Sequence, residues 1–68
     1  MGVKEKEVFF KEKYNRCILN KEETAFELGG ISESTIDRLR KTGELKSKKI
    51  GGQVFFDIEQ VAKYVTTL

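Results

Sequence analysis

The side chains in this chain that could do chemistry are mostly cations, and they are gathered in one stretch. Between Arg38 and Lys49 lie six basic residues (Arg38, Arg40, Lys41, Lys46, Lys48 and Lys49) and one acid, Glu44, whereas the rest of the 68 residues holds seven basic and ten acidic ones. A segment of net charge +5 on a remainder of −3 is how a small protein presents itself to a polyanion. A solvated lysine-rich loop accounts for the same run, and charge alone leaves both readings open. Groups for catalysis are missing. With no histidine and a single cysteine, Cys17, zinc sites, cysteine–histidine dyads and serine–histidine–aspartate triads are excluded. Glu22 and Glu23 sit where a solvated helix face is a better account than an acid/base couple. The Gly29-Gly30 and Gly51-Gly52 pairs lack the spacing of a phosphate-cradling loop. No enzyme activity, cofactor or metal is therefore expected. A lone cysteine makes no intrachain disulfide, which fits a reducing compartment.

The elements that must hold these cations can be outlined from pattern. Sixty-eight residues, 38% apolar and 35% charged, suit a single small domain that buries only about 60% of its unfolded surface. Residues 1–17 read as an extension. Phe10, Tyr14 and Cys17 have helical spacing, and the charged stretch before Glu7 is expected to fray. It lacks the apolar region of a leader, and no run approaches a membrane span. Residues 18–68 read as the main domain. Asn20 and Glu23 form a capping-box pattern that opens a helix from Lys21 to Leu28, ended by Gly29-Gly30. Ser32 caps a second helix, Glu33 to about Lys41, with Ile36 and Leu39 inward. Lys46–Ile50 and Gln53–Phe56 are expected to pair across Gly51-Gly52 as a two-residue hairpin. Asp57 and Gln60 form a further capping-box pattern, opening a last helix with Ile58, Val61, Ala62 and Val65 as its apolar stripe. The order helix, turn, helix, hairpin, helix predicts a small, mainly α, α+β fold: a winged helix-turn-helix with a two-stranded β-hairpin wing.

The second helix then carries the candidate site. Ser32, Ile36, Leu39 and Gly43 share its inner side; Ser34, Asp37, Arg38 and Lys41 share the outer one, with Glu33, Thr35 and Arg40 on the flanks. Placed in a major groove, Arg38 can pair bidentately with guanine, and Ser32, Ser34 and Thr35 can hydrogen-bond phosphate or bases at the helix start. Plain capping also explains Ser32 and Thr35, and solvation also explains Arg38. Asp37 is expected to pair with Lys41 at i,i+4. Together with Glu33 it should weaken non-specific affinity for phosphate, unless it accepts from a cytosine amino group. In the hairpin, Lys48 and Lys49 flank a tip of Gly51, Gly52 and Gln53, where the backbone can approach DNA and lysines meet phosphate as point charges.

The segments KEETAFELGGIS, STIDRLRKTGEL, KKIGGQVFF and DIEQVAKYV together resemble the excisionase/MerR-like winged helix-turn-helix family. Its usual pattern runs from a paired-acid helix through GVSxxTVYRLIRxGEL to xxIGGxxRFxxxDLxxYL. The resemblance keeps the order and spacing of each element but leaves residues 1–17 outside. The chain departs from it at Glu33, at Asp37, where the family carries an aromatic, and at Phe55, where it carries arginine. The resemblance implies binding of double-stranded DNA, with the recognition helix on Ser32–Lys41 and the wing on Lys48–Gln53. It also implies a cytoplasmic, nucleoid-associated protein: an excisionase that steers an integrase or recombinase, or a small transcriptional regulator. One recognition helix reads few base pairs, so self-association on tandem DNA sites is expected. The alternative is a protein-interaction adaptor that uses the same fold and meets a basic partner through Glu33 and Asp37.

Overall fold

The computed structural model describes residues 2–67. Four helices and three short strands follow one another as α1 (Val3–Tyr14), β1 (Ile18–Asn20), α2 (Lys21–Glu27), α3 (Glu33–Thr42), β2 (Lys48–Ile50), β3 (Gln53–Asp57) and α4 (Ile58–Thr66). Helix α1 begins at Val3, so most of the stretch before Glu7 that was expected to fray is helical. A glutamate in its first turn suits the positive end of the helix dipole. Glu7 then pairs with Lys11 one turn on at 2.8 Å, in the favourable order of acid before base. The helix packs against α4 and sends Phe10, fully buried, into the same core as the rest of the chain. Cys17, expected on that helix, lies beyond it and is exposed.

The capping signals at Asn20 and Ser32 act as their spacing predicts. The Asn20 side chain accepts from the Glu23 amide at 2.7 Å, and the Glu23 carboxylate accepts from the Asn20 amide at 3.0 Å. Ser32 Oγ accepts from the Thr35 amide at 3.2 Å. Between α2 and α3 the chain turns through Gly29 and Gly30, both at positive φ, a conformation that costs a residue with a Cβ more. Ile36 and Leu39 of α3 are buried, as is Leu45 just after it.

The hairpin turns at Gly51 and Gly52, with φ of 57° and 83°. Positive φ at both central residues matches the right-handed twist of the flanking strands. The hairpin is not the two-stranded element expected, however. β3 is the centre of a three-stranded antiparallel sheet in the order β1-β3-β2. Leu19 stands opposite Phe56, and Phe55 lies between Asn20 on one side and Lys48 on the other. Because alternate residues face opposite ways, Phe56 is fully buried while Phe55, on the other face, is half-buried. β2 also starts at Lys48 rather than Lys46. The capping box expected at Asp57 and Gln60 does not form: Asp57 makes no side-chain cap. Its residue also ends β3, and its carboxylate meets Lys48 Nζ at 2.8 Å instead. Among the described residues no helix is long and apolar enough to cross a membrane.

Candidate nucleic-acid interface

Three of the outward residues of α3, Ser34, Arg38 and Lys41, are exposed, and Asp37 is half-buried. The Asp37 carboxylate does not pair with Lys41. It is held at 2.9 Å by Lys21, the first residue of α2, and at 3.0 Å by Arg40, its i,i+3 neighbour. The Lys21 hydrogen bond, and behind it that of Arg40, keep this carboxyl below the usual aspartate range against the opposing effect of burial. Its negative charge is thus answered from inside the fold, leaving Lys41 unpaired. Arg40 also donates through Nε to Ser47 Oγ at 3.0 Å, tying the second half of α3 to the start of the hairpin.

Two of the shallow concavities that border α3 hold candidate residues. One, of about 340 Å³, is lined by Asp37, Arg40, Lys41 and Ser47. The other, of about 340 Å³, brings Glu33 together with Lys21 and Glu22 of α2 and with Gly52 and Gln53 at the hairpin turn. The start of α3 thus shares a concavity with the hairpin turn, and its second half one with Ser47, just ahead of β2. Ser32 and Thr35 are engaged with each other, their hydroxyls 3.0 Å apart, so the capping role is occupied; Ser34 keeps an exposed hydroxyl.

Six of the cations are paired. Lys11, Lys13, Arg16, Lys21, Arg40 and Lys48 each have a carboxylate partner. Among the described residues Arg38, Lys41, Lys46 and Lys49 have none and are exposed; Lys4 and Lys6 at the start of α1 and Lys63 on α4 also have none. Within the hairpin this separates two lysines that the sequence treats alike. The register puts Ile50 opposite Gln53 at the turn, Lys49 one step back, and Lys48 two steps back, where Asp57 holds it.

No family model, curated protein or solved structure matches this chain. Exposed arginine and lysine heads, a serine hydroxyl at a helix start and a glycine turn are the kinds of group that contact phosphates and base edges. Among the described residues no group of three or more histidine, cysteine, aspartate or glutamate side chains could hold a metal ion.

Lys21, Ser47 and Asp57 are the participants that local pattern misses. Arg40 was visible as an i,i+3 neighbour of Asp37, but the partners of Lys21 and Asp57 lie 16 and nine residues away in the chain and exist only once α2 meets α3 and β2 meets β3.

Proposed function

We propose that this chain is a sequence-specific double-stranded DNA-binding protein of the winged helix-turn-helix kind, with α3 as the recognition helix and the β2–β3 hairpin as the wing. The observation that carries this reading is the set of exposed, unpaired cations Arg38 and Lys41 on α3 and Lys49 on the hairpin, with Lys46 in the segment between them. Outside this region Lys11, Lys13 and Arg16 are paired within the fold, while Lys4, Lys6 and Lys63 are scattered over the ends of α1 and α4. Arg38 would read a base, Ser34 and Lys41 would contact the sugar–phosphate backbone, and Lys49 with the Gly51–Gln53 tip would meet the neighbouring strand. Asp37, held by Lys21 and Arg40, limits affinity for duplexes of any sequence without abolishing it. The resemblance to excisionases and MerR-like regulators supports the same reading. It extends it to two biological settings: direction of an integrase or recombinase toward excision, or transcriptional control.

A second reading has its own observation. Glu22 and Glu33 share one concavity with the hairpin turn, and an acidic junction there fits a basic protein partner. Selection of a binding site from a random duplex library, followed by titration of that site and of random DNA, separates the two. The DNA reading predicts enrichment of a short motif. It further predicts that Arg38→Ala costs about 1–3 kcal/mol on the selected site and less on random duplex. No enrichment, with no detectable complex at moderate salt, favours the adaptor.

A further inference from the structure

We propose that Lys21, Arg40 and Ser47 form an anion site, and that the Asp37 carboxylate fills the place in it that a phosphate of the duplex backbone would take. The inference rests on the DNA reading and says how Asp37 limits affinity: it occupies a phosphate contact, rather than only repelling phosphates nearby.

The donors converge on one point. Lys21 Nζ, from the start of α2, lies 2.9 Å from Asp37 Oδ1, and Arg40 Nη1 lies 3.0 Å from the same oxygen. Cations from two helices that meet at a single oxygen make an anion site, and both groups donate to phosphate as they do to carboxylate. Arg40 is also fixed from its other side, because its Nε donates to Ser47 Oγ at 3.0 Å. That bond holds the guanidinium in place independently of Asp37. It also leaves the serine its own O–H to donate.

The cluster lies beside a residue already assigned to the backbone. Asp37, Arg40 and Ser47 line one concavity with Lys41, which is exposed and unpaired. Asp37 is the most solvent-open of the three charged members, its side chain 42% exposed against 27% for Lys21 and 29% for Arg40. Two other acids stand near the cluster. Glu22 and Glu33 share the second concavity with Lys21, so a freed Lys21 has carboxylates to turn to. Arg40 shares its concavity with no acid but Asp37. One phosphate contact, through Arg40, is therefore the least that removal of Asp37 should add.

Titration of a fluorescent duplex with the whole chain across a range of salt tests this in five proteins: the parent, Asp37→Asn, Glu33→Gln, the pair Lys21→Gln with Arg40→Gln, and that pair with Asp37→Asn added. Asp37→Asn should bind more tightly, with a log–log slope steeper by at least about 0.9, so that each tenfold fall in salt widens its advantage about eightfold. Glu33, which has no cation partner among the described residues, measures what loss of repulsion alone is worth, and Glu33→Gln should steepen the slope by less than half as much. In the double-glutamine background Asp37→Asn should add no more than Glu33→Gln does, because the cations it would free are gone. Circular dichroism checks folding, and Asp37→Ala replaces Asp37→Asn should the latter be unfolded. A parent that binds duplex and an Asp37→Asn variant with the same slope overturn this proposal and leave the DNA reading standing. So does a gain that is as large in the double-glutamine background, since repulsion then accounts for it. If neither the parent nor Asp37→Asn binds duplex at low salt, both are overturned.

Discussion

Replacing Phe10 by alanine removes the ring that joins α1 to the rest of the molecule. Phe10 is fully buried and belongs to one core with Leu19, Phe56 and the inner residues of α4. Truncation of a buried phenylalanine costs about 3–5 kcal/mol, the lost transfer energy plus the cavity left behind. A chain of 68 residues has about 3–10 kcal/mol of stability in total, so the variant should lose a third of it or more. With a urea dependence of about 1–2 kcal/mol per M for so small a protein, the unfolding midpoint should fall by about 1.5–5 M. The assay is urea unfolding followed by circular dichroism at the helix band, with Val8→Ala as companion. Val8 lies on the same helix but is 47% exposed, so its truncation should change stability by less than about 0.5 kcal/mol. If Phe10→Ala unfolds within about 0.5 M of the parent and loses only the helical signal of α1, then α1 is a dispensable appendage. The single core would then be refuted.

Three further outcomes follow from particular side chains. Thr24 is fully buried and its hydroxyl has no hydrogen-bond partner, so Thr24→Val should raise stability by about 1 kcal/mol and the melting midpoint by about 4–8 °C; a lower midpoint would show that the hydroxyl is satisfied. Burial, followed by the hydrogen bond it donates to Glu27, pushes the Tyr14 hydroxyl up to about 12 from 10.0. Because the folded state holds this proton more tightly, its contribution is complete below pH 10 and lost as pH rises through about 12; urea midpoints of the parent minus those of Tyr14→Phe should fall across that window, and a flat difference would contradict the contact. Lys49→Ala should lower the log–log salt slope of duplex binding by about 0.9, and Lys48→Ala, whose ammonium is held by Asp57, by less; equal losses, read by fluorescence anisotropy, would show that the Asp57 pair opens on DNA.

What could be read from the sequence was local. The capping box at Asn20 and Glu23, the Ser32 cap, the glycine turns and the inward Ile36 and Leu39 all depend on neighbours within a few residues, and they form as their spacing predicts. The misses depend on partners distant in the chain. β1 is three residues long, too short to show alternation, and is a strand only because β3 lies beside it. Asp57 carries a capping pattern, but Lys48 across the sheet takes its carboxylate. Asp37 has Lys41 at the favoured spacing, but Lys21 and Arg40 reach it. For the candidate site, the residue types and the outward face of α3 were legible. Which cations remain unpaired was not, because that depends on the tertiary ion pairs.

The central claim, that α3 and the hairpin hold duplex DNA through their unpaired cations, is tested most directly by the salt dependence of binding. Equilibrium titrations of a fluorescent duplex across a range of salt would compare the parent with the triple variant Arg38→Ala, Lys41→Ala, Lys49→Ala. Each phosphate contact releases counterions, so the variant's log–log slope should be shallower by about 2–3 and its affinity lower on every sequence. A parent that binds no duplex at low salt, or a variant with the parent's slope, would contradict the account.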